Sequence, residues 1–142
     1  MATSSPVAKF YQPGDRVYIQ AQRIWLILIG YVIWRRDFTP QVPPLITYGT
    51  LAEKMGLDPR AGHTLGRQLG IVAEFCVRNG LPALNSIVVT RGTREPGDGV
   101  VYTPESTLSD EQRGVAEYDW YTVRPPTTGT LRQVWDEING AA

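Results

Sequence analysis

The chain has 142 residues, 42% of them apolar and 20% charged, with 14 Lys/Arg balanced by 14 Asp/Glu. That length and mix fit one globular domain with a real core and exclude a disordered chain or a polycation. One cysteine and one histidine exclude an internal disulfide and a zinc site built from these ligands.

Residues 1–6 are small and polar, without a basic-then-apolar leader, so a reducing cytoplasm is the expected compartment. The longest apolar run, 24–34, is 11 residues. A bilayer needs roughly 20, so no membrane contact is expected. The neutral total hides an asymmetry: residues 1–94 hold 11 Lys/Arg and 5 Asp/Glu, residues 95–142 hold 3 and 9. A basic front and an acidic back permit phosphate contact, and simple solvation of two surfaces accounts for them equally well.

Residues 1–15 read as a flexible lead-in closed by Gln12-Pro13-Gly14-Asp15, with Asp15 placed to cap a helix. Over 16–36 the chain is apolar almost all round. Its length favours a helix, while Ile24, Ile27, Ile29, Val32 and Ile33 favour a strand. A helix is expected, since a winged helix needs one here. Trp25, Tyr31, Trp34 and Phe38 are expected in the core.

After a proline-rich connector over 37–44, Ile46 and Tyr48 form a short extended piece, and Thr47 or Thr50 caps a helix with Leu51, Ala52 and Met55 inside. Gly56 ends it; Asp58 caps, and Pro59 opens, a longer helix over 59–79. Leu65, Leu69, Val72 and Cys76 follow the helical period inward, and Arg60, His63, Arg67, Glu74 and Arg78 lie opposite. Gly62, Gly66 and Gly70 flank the core stripe. Each costs about 1 kcal/mol against alanine in a helix. The expected reason is close approach of another backbone, from a neighbouring helix rather than a nucleic-acid strand. Beyond Asn79-Gly80, residues 86–90 and 99–103 read as a hairpin around a loop carrying Arg91 and Arg94.

Short helix, turn, longer helix and hairpin over 46–102 make the expected fold α+β, a winged helix-turn-helix core with a C-terminal helical extension. Residues 16–142 form one domain in this reading, acidic from about 104 onward. In that extension, Ser109-Asp110-Glu111-Gln112 starts a short helix, and Tyr118-Asp119-Trp120-Tyr121 is extended. Pro125-Pro126 breaks the chain, and a last helix over 130–138 turns Leu131, Val134, Trp135 and Ile138 to one face.

The catalytic inventory is thin. Cys76 sits on an apolar stripe, where a thiol packs rather than reacts. His63 has no neighbouring carboxylate to orient it. The segment Gly62-His63-Thr64-Leu65-Gly66 lacks the lysine and spacing of a phosphate-binding loop, and the acidic residues after Glu95 lack metal-ligand spacing. No enzyme activity, cofactor or metal is expected.

Thr47-Tyr48-Gly49, Leu51-Ala52, Pro59-Arg60-Ala61-Gly62-His63-Thr64-Leu65-Gly66, Asn79 and Val88-Val89 together resemble the winged-helix domain of alkylguanine-DNA alkyltransferases and alkyltransferase-like proteins. The likeness covers about a third of the chain. It implies that Tyr48 helps rotate a nucleotide out of the duplex, and that His63 replaces the arginine that fills the vacated stack. Leu84-Asn85-Ser86-Ile87 stands where the family has Pro-Cys-His-Arg, so alkyl transfer is excluded. The helix after Gly66 is also about two turns longer than the family's.

The first functional expectation is therefore a non-enzymatic protein that binds duplex DNA through Tyr48, Lys54, Arg60, His63, Arg67, Arg91 and Arg94. The alternative is a protein-interaction module, an inhibitor or adaptor of a mobile element, with the acidic segment after Glu95 meeting a basic partner. A third is a small-ligand pocket at Tyr48, His63 and Asn85.

Overall fold

A computed structural model describes residues 8, 10–39, 43–96 and 106–140. The apolar stretch forms one long helix, α1 (Arg16–Phe38), so length prevails over the β-branched residues. Ala21, Ile24, Trp25, Leu28 and Val32 enter the core, and α1 is the spine on which the later helices pack. Asp15 does not cap α1. Its carboxylate instead accepts from Gln12 N at 2.8 Å and pairs with Arg132. The four aromatics also divide. Trp25 is buried and Tyr31 half-buried, while Trp34 and Phe38 point to solvent, because no other described element covers that side of α1. By length and composition α1 is also apolar enough to cross a bilayer, with an 18-residue window of mean hydropathy 1.3, of which a third is buried in the fold.

β1 (Ile46–Thr47) leads directly into α2 (Tyr48–Lys54), whose first turn is capped by Thr47 Oγ1 accepting from Thr50 N at 3.1 Å. Gly56, with φ of 81°, turns the chain out of α2. The expected helix over 59–79 is two pieces. Asp58 caps a 3-10 segment, Pro59–Thr64, and α3 (Gly66–Arg78) starts anew beyond Leu65. Leu65, Leu69, Val72 and Cys76 all reach the core as the period demands. Arg60 and His63, on the tighter 3-10 turn, do not share a face with Glu74 and Arg78.

Only one of the three glycines is explained by close approach. A Cβ on Gly62 would stand 2.6 Å from Tyr48 O and 2.7 Å from its carbonyl carbon, whereas nothing lies within 4 Å of one on Gly66 or Gly70.

A second 3-10 segment (Leu84–Ile87) leads into β2 (Val88–Val89). β2 pairs in parallel with β1, Ile46 opposite Val88 and Thr47 opposite Val89. A parallel pair requires a long crossover, supplied here by α2, the 3-10 turn and α3. The hairpin partner expected at 99–103 lies outside the described residues. Among the described residues the architecture is thus α+β, mainly helical around α1, with a two-stranded sheet.

In the acidic extension α4 (Leu108–Glu117) starts at Thr107, whose Oγ1 accepts from Asp110 N at 3.1 Å, two residues before the expected cap. Tyr118 to Tyr121 is not an extended strand. Trp120 opens a one-turn 3-10 segment (Trp120–Thr122) and is buried, its Nε1 donating to Val115 O at 2.8 Å. α5 (Thr128–Ile138), capped by Thr127, closes the core with Leu131 and Val134 and leaves Ile138 exposed.

Candidate nucleic-acid interface

Because β1 and β2 run the same way, the chain leaves both strands at the same end of the sheet. Tyr48 and Gly49 come directly after β1, and the turn over 90–95 comes directly after β2. That turn is closed by Thr90 N donating to Glu95 O at 2.8 Å and Arg94 N donating to Thr90 O at 3.0 Å. Arg94 holds a left-handed φ of 59°, and Arg91 and Arg94 are exposed. The contact of Gly62 with the Tyr48 carbonyl brings the 3-10 segment, with Arg60 and His63, against the same N-terminus of α2. Five of the seven expected residues thus lie on three segments: Tyr48 at the start of α2, Arg60 and His63 on the 3-10 segment packed against α2, and Arg91 and Arg94 on the turn after β2.

Their states differ. Tyr48 is half-buried against the core. His63 is exposed, and its Nδ1 donates to Arg60 O, which fixes the ring. Arg60 is solvent-exposed, but its Nε and Nη2 both donate to the Asp58 carboxylate at 3.1 Å. These bonds, with one from Arg60 N at 2.8 Å, hold the Asp58 carboxyl below its ordinary range and push the Arg60 guanidinium up. Arg60, expected to contact DNA, thus carries its own counter-ion, signalled in the sequence by the acid two residues before it.

The other two residues are placed elsewhere. The Arg67 guanidinium is exposed and lies 5.3 Å from the Trp135 ring centroid, so it leans over α5. The Lys54 ammonium ends α2 at 5.8 Å from the Tyr31 ring. Arg78 is likewise taken up by Glu74 and by Glu137 of α5.

The Leu84–Ile87 segment is interior. Leu84, Asn85, Ser86 and Ile87 are all buried, and α4 pins them: Glu111 Oε2 accepts from Ala83 N at 3.2 Å, and Gln112 Nε2 donates to Ser86 O at 2.9 Å. Asn85 Oδ1 and Ser86 Oγ find no hydrogen-bond partner among the described residues. Among the described residues no cluster of metal-ligating side chains occurs.

Cys76 lies behind this segment, fully buried, and burial pushes its thiol up to about 12. It is neutral at any physiological pH and unreactive. Cys76→Ser is expected to lower stability by about 1–3 kcal/mol, through burial of a hydroxyl in an apolar site, with any binding activity intact. Urea titration measures the first effect. Thiol labelling that proceeds only after unfolding confirms that the folded thiol is unreactive, and rapid labelling of the folded wild type contradicts it.

Compared with protein-family models, curated proteins and solved structures, the chain matches none.

Proposed function

We propose that this chain is a non-enzymatic duplex-DNA-binding protein of alkyltransferase-like kind. Its docking face is the end of the sheet where Tyr48 begins α2 and the 90–95 turn leaves β2. The observation that carries this reading is the parallel strand pairing, which brings the start of α2 and the 90–95 turn, with its two exposed arginines, to the same end of the sheet. In this reading α2, the Pro59–Thr64 turn and α3 act as a helix-turn-helix, and the 90–95 turn takes the place of the wing. Arg91 and Arg94 contact phosphates and carry little sequence information. Tyr48 and His63, held together through Gly62, stand where the resemblance puts nucleotide rotation and stack filling. Asn85 in place of the cysteine makes this recognition without transfer.

The test is duplex binding as a function of salt. Arg91→Ala and Arg94→Ala should each weaken binding similarly across sequences and reduce the log–log salt slope by about one unit. Arg94→Gly removes the same charge while relieving the left-handed φ, so equal weakening by that variant separates charge loss from misfolding. Arg67→Ala should leave sequence preference unchanged, since the Arg67 guanidinium lies over the Trp135 ring of α5. Asp58→Asn should strengthen binding by freeing the Arg60 guanidinium. If the wild type shows no mobility shift with duplex DNA at low salt, the helix-turn-helix is a scaffold, and the protein-partner reading of the acidic extension replaces this one.

A further inference from the structure

The solvent side of α1 carries a stripe that neither the core nor the DNA reading uses. Leu26, Trp34 and Phe38 are 51%, 53% and 70% exposed. Gly30, between the first two, has open space where a Cβ would stand. A groove of about 360 Å³ runs beside it, walled by Leu26, Tyr31 and Trp34. Arg23, Leu26, Gly30, Trp34 and Asp37 recur every three or four residues, so they form one seam along the helix, and all five are exposed.

The seam is self-complementary, reading cation, leucine, glycine, tryptophan, anion, symmetrically spaced about Gly30. Two copies of α1 laid antiparallel, with a two-fold axis at Gly30, place each Leu26 opposite the other copy's Trp34. Each Arg23 then stands opposite the other copy's Asp37. An isologous interface has this property of self-complementarity, since every contact occurs twice. Gly30 lets the helix axes approach closely at the crossing, and the groove beside it receives the partner's indole. Arg23 already donates to Met55 O at 2.8 Å, but a guanidinium has five N–H donors and serves a carboxylate as well.

We infer that α1 is the interface of a symmetric antiparallel homodimer, with a second copy of this chain seated on the Leu26–Gly30–Trp34 seam. One helix per protomer buries less than the roughly 800 Å² per partner of a standard interface, so the dimer is a weak one that depends on concentration. The inference is independent of DNA binding, whose residues Arg91 and Arg94 lie after β2.

Sedimentation equilibrium of the full chain from about 1 to about 300 µM tests it. The wild type should show a monomer–dimer equilibrium. Gly30→Leu should weaken it at least about tenfold while melting at the same or a higher temperature, because the monomer has room for the side chain. Arg23→Asp and Asp37→Arg should each be monomeric, since each puts like charges opposite. An equimolar mixture of these two should recover wild-type affinity, because the heterodimer restores both ion pairs. Should Arg23→Asp fail to fold through loss of its Met55 bond, Gly30→Leu and Trp34→Ala decide. A wild type that stays monomeric throughout overturns the inference, as does a Gly30→Leu variant that dimerises like wild type or a mixture of folded variants without rescue. A monomer that partitions onto phosphatidylcholine–phosphatidylglycerol vesicles through Trp34 overturns it in favour of a lipid surface.

Discussion

Trp25→Ala is expected to destabilise the protein by about 3–5 kcal/mol, enough to unfold a domain of ordinary stability. Trp25 is 1% exposed and meets Phe75 of α3 edge-on at 5.3 Å and Trp120 at 5.7 Å. One indole therefore joins the spine helix to α3 and to the turn between α4 and α5. Removing it leaves a cavity bounded by rigid rings, and rigid walls collapse little. Trp120→Ala should approach the same loss, since Trp120 also gives up its hydrogen bond to Val115 O. Trp34→Ala, at an exposed ring, should change the monomer's stability by less than about 0.5 kcal/mol. Chemical denaturation of the three variants orders them, and a Trp34 effect as large as that of Trp25 contradicts the assigned burial.

Gly62→Ala is the second large effect, at roughly 1–3 kcal/mol or more. The added methyl would stand 2.6 Å from the Tyr48 carbonyl oxygen, and backbone rather than a flexible side-chain end is what must move. Moving it shifts the start of α2, so Gly62→Ala should also impair DNA binding in the fraction that remains folded. Gly70→Ala should do the opposite and stabilise by about 0.5–1 kcal/mol, as a helix glycine with nothing near its Cβ position. Thermal melts of both variants test the contrast. Equal effects of the same sign would show that the three glycines do serve one packing surface.

That contrast also marks how far the sequence is legible. A spacing of four residues assigns Gly62, Gly66 and Gly70 to one stripe, but the helix breaks at Leu65, and the stripe breaks with it. The core positions survive the break because Leu65 opens the register that Leu69, Val72 and Cys76 continue. Arg60 and His63 do not survive it, because a 3-10 turn advances fewer residues per revolution than an α-helix. Local signals with local causes read well: the caps Thr47 and Asp58, the turn at Gly56 and the end of α3 at Asn79-Gly80 with Gly80 at φ 65°.

Features decided by distant partners were not legible. An apolar helix such as α1 does not announce that one side lacks a neighbour, so Trp34 and Phe38 read as core. Val88-Val89 looks the same in a hairpin as in a parallel pair, and only the partner Ile46-Thr47 distinguishes them. At the candidate site, the exposed arginines of the 90–95 turn were readable from residue type and turn chemistry. The diversion of Arg67 to Trp135 was not, because α5 meets α3 only in the folded chain.

The most direct measurement of the central claim is an amide chemical-shift titration of the isotope-labelled protein with a short duplex at low salt. The account predicts shifts concentrated at Tyr48 and Gly49, at Arg60 to His63 and at Arg91 to Arg94, with α4 and α5 unmoved. They should fade together as salt is raised. An unchanged spectrum at saturating duplex, or shifts confined to α4 and α5, would contradict it.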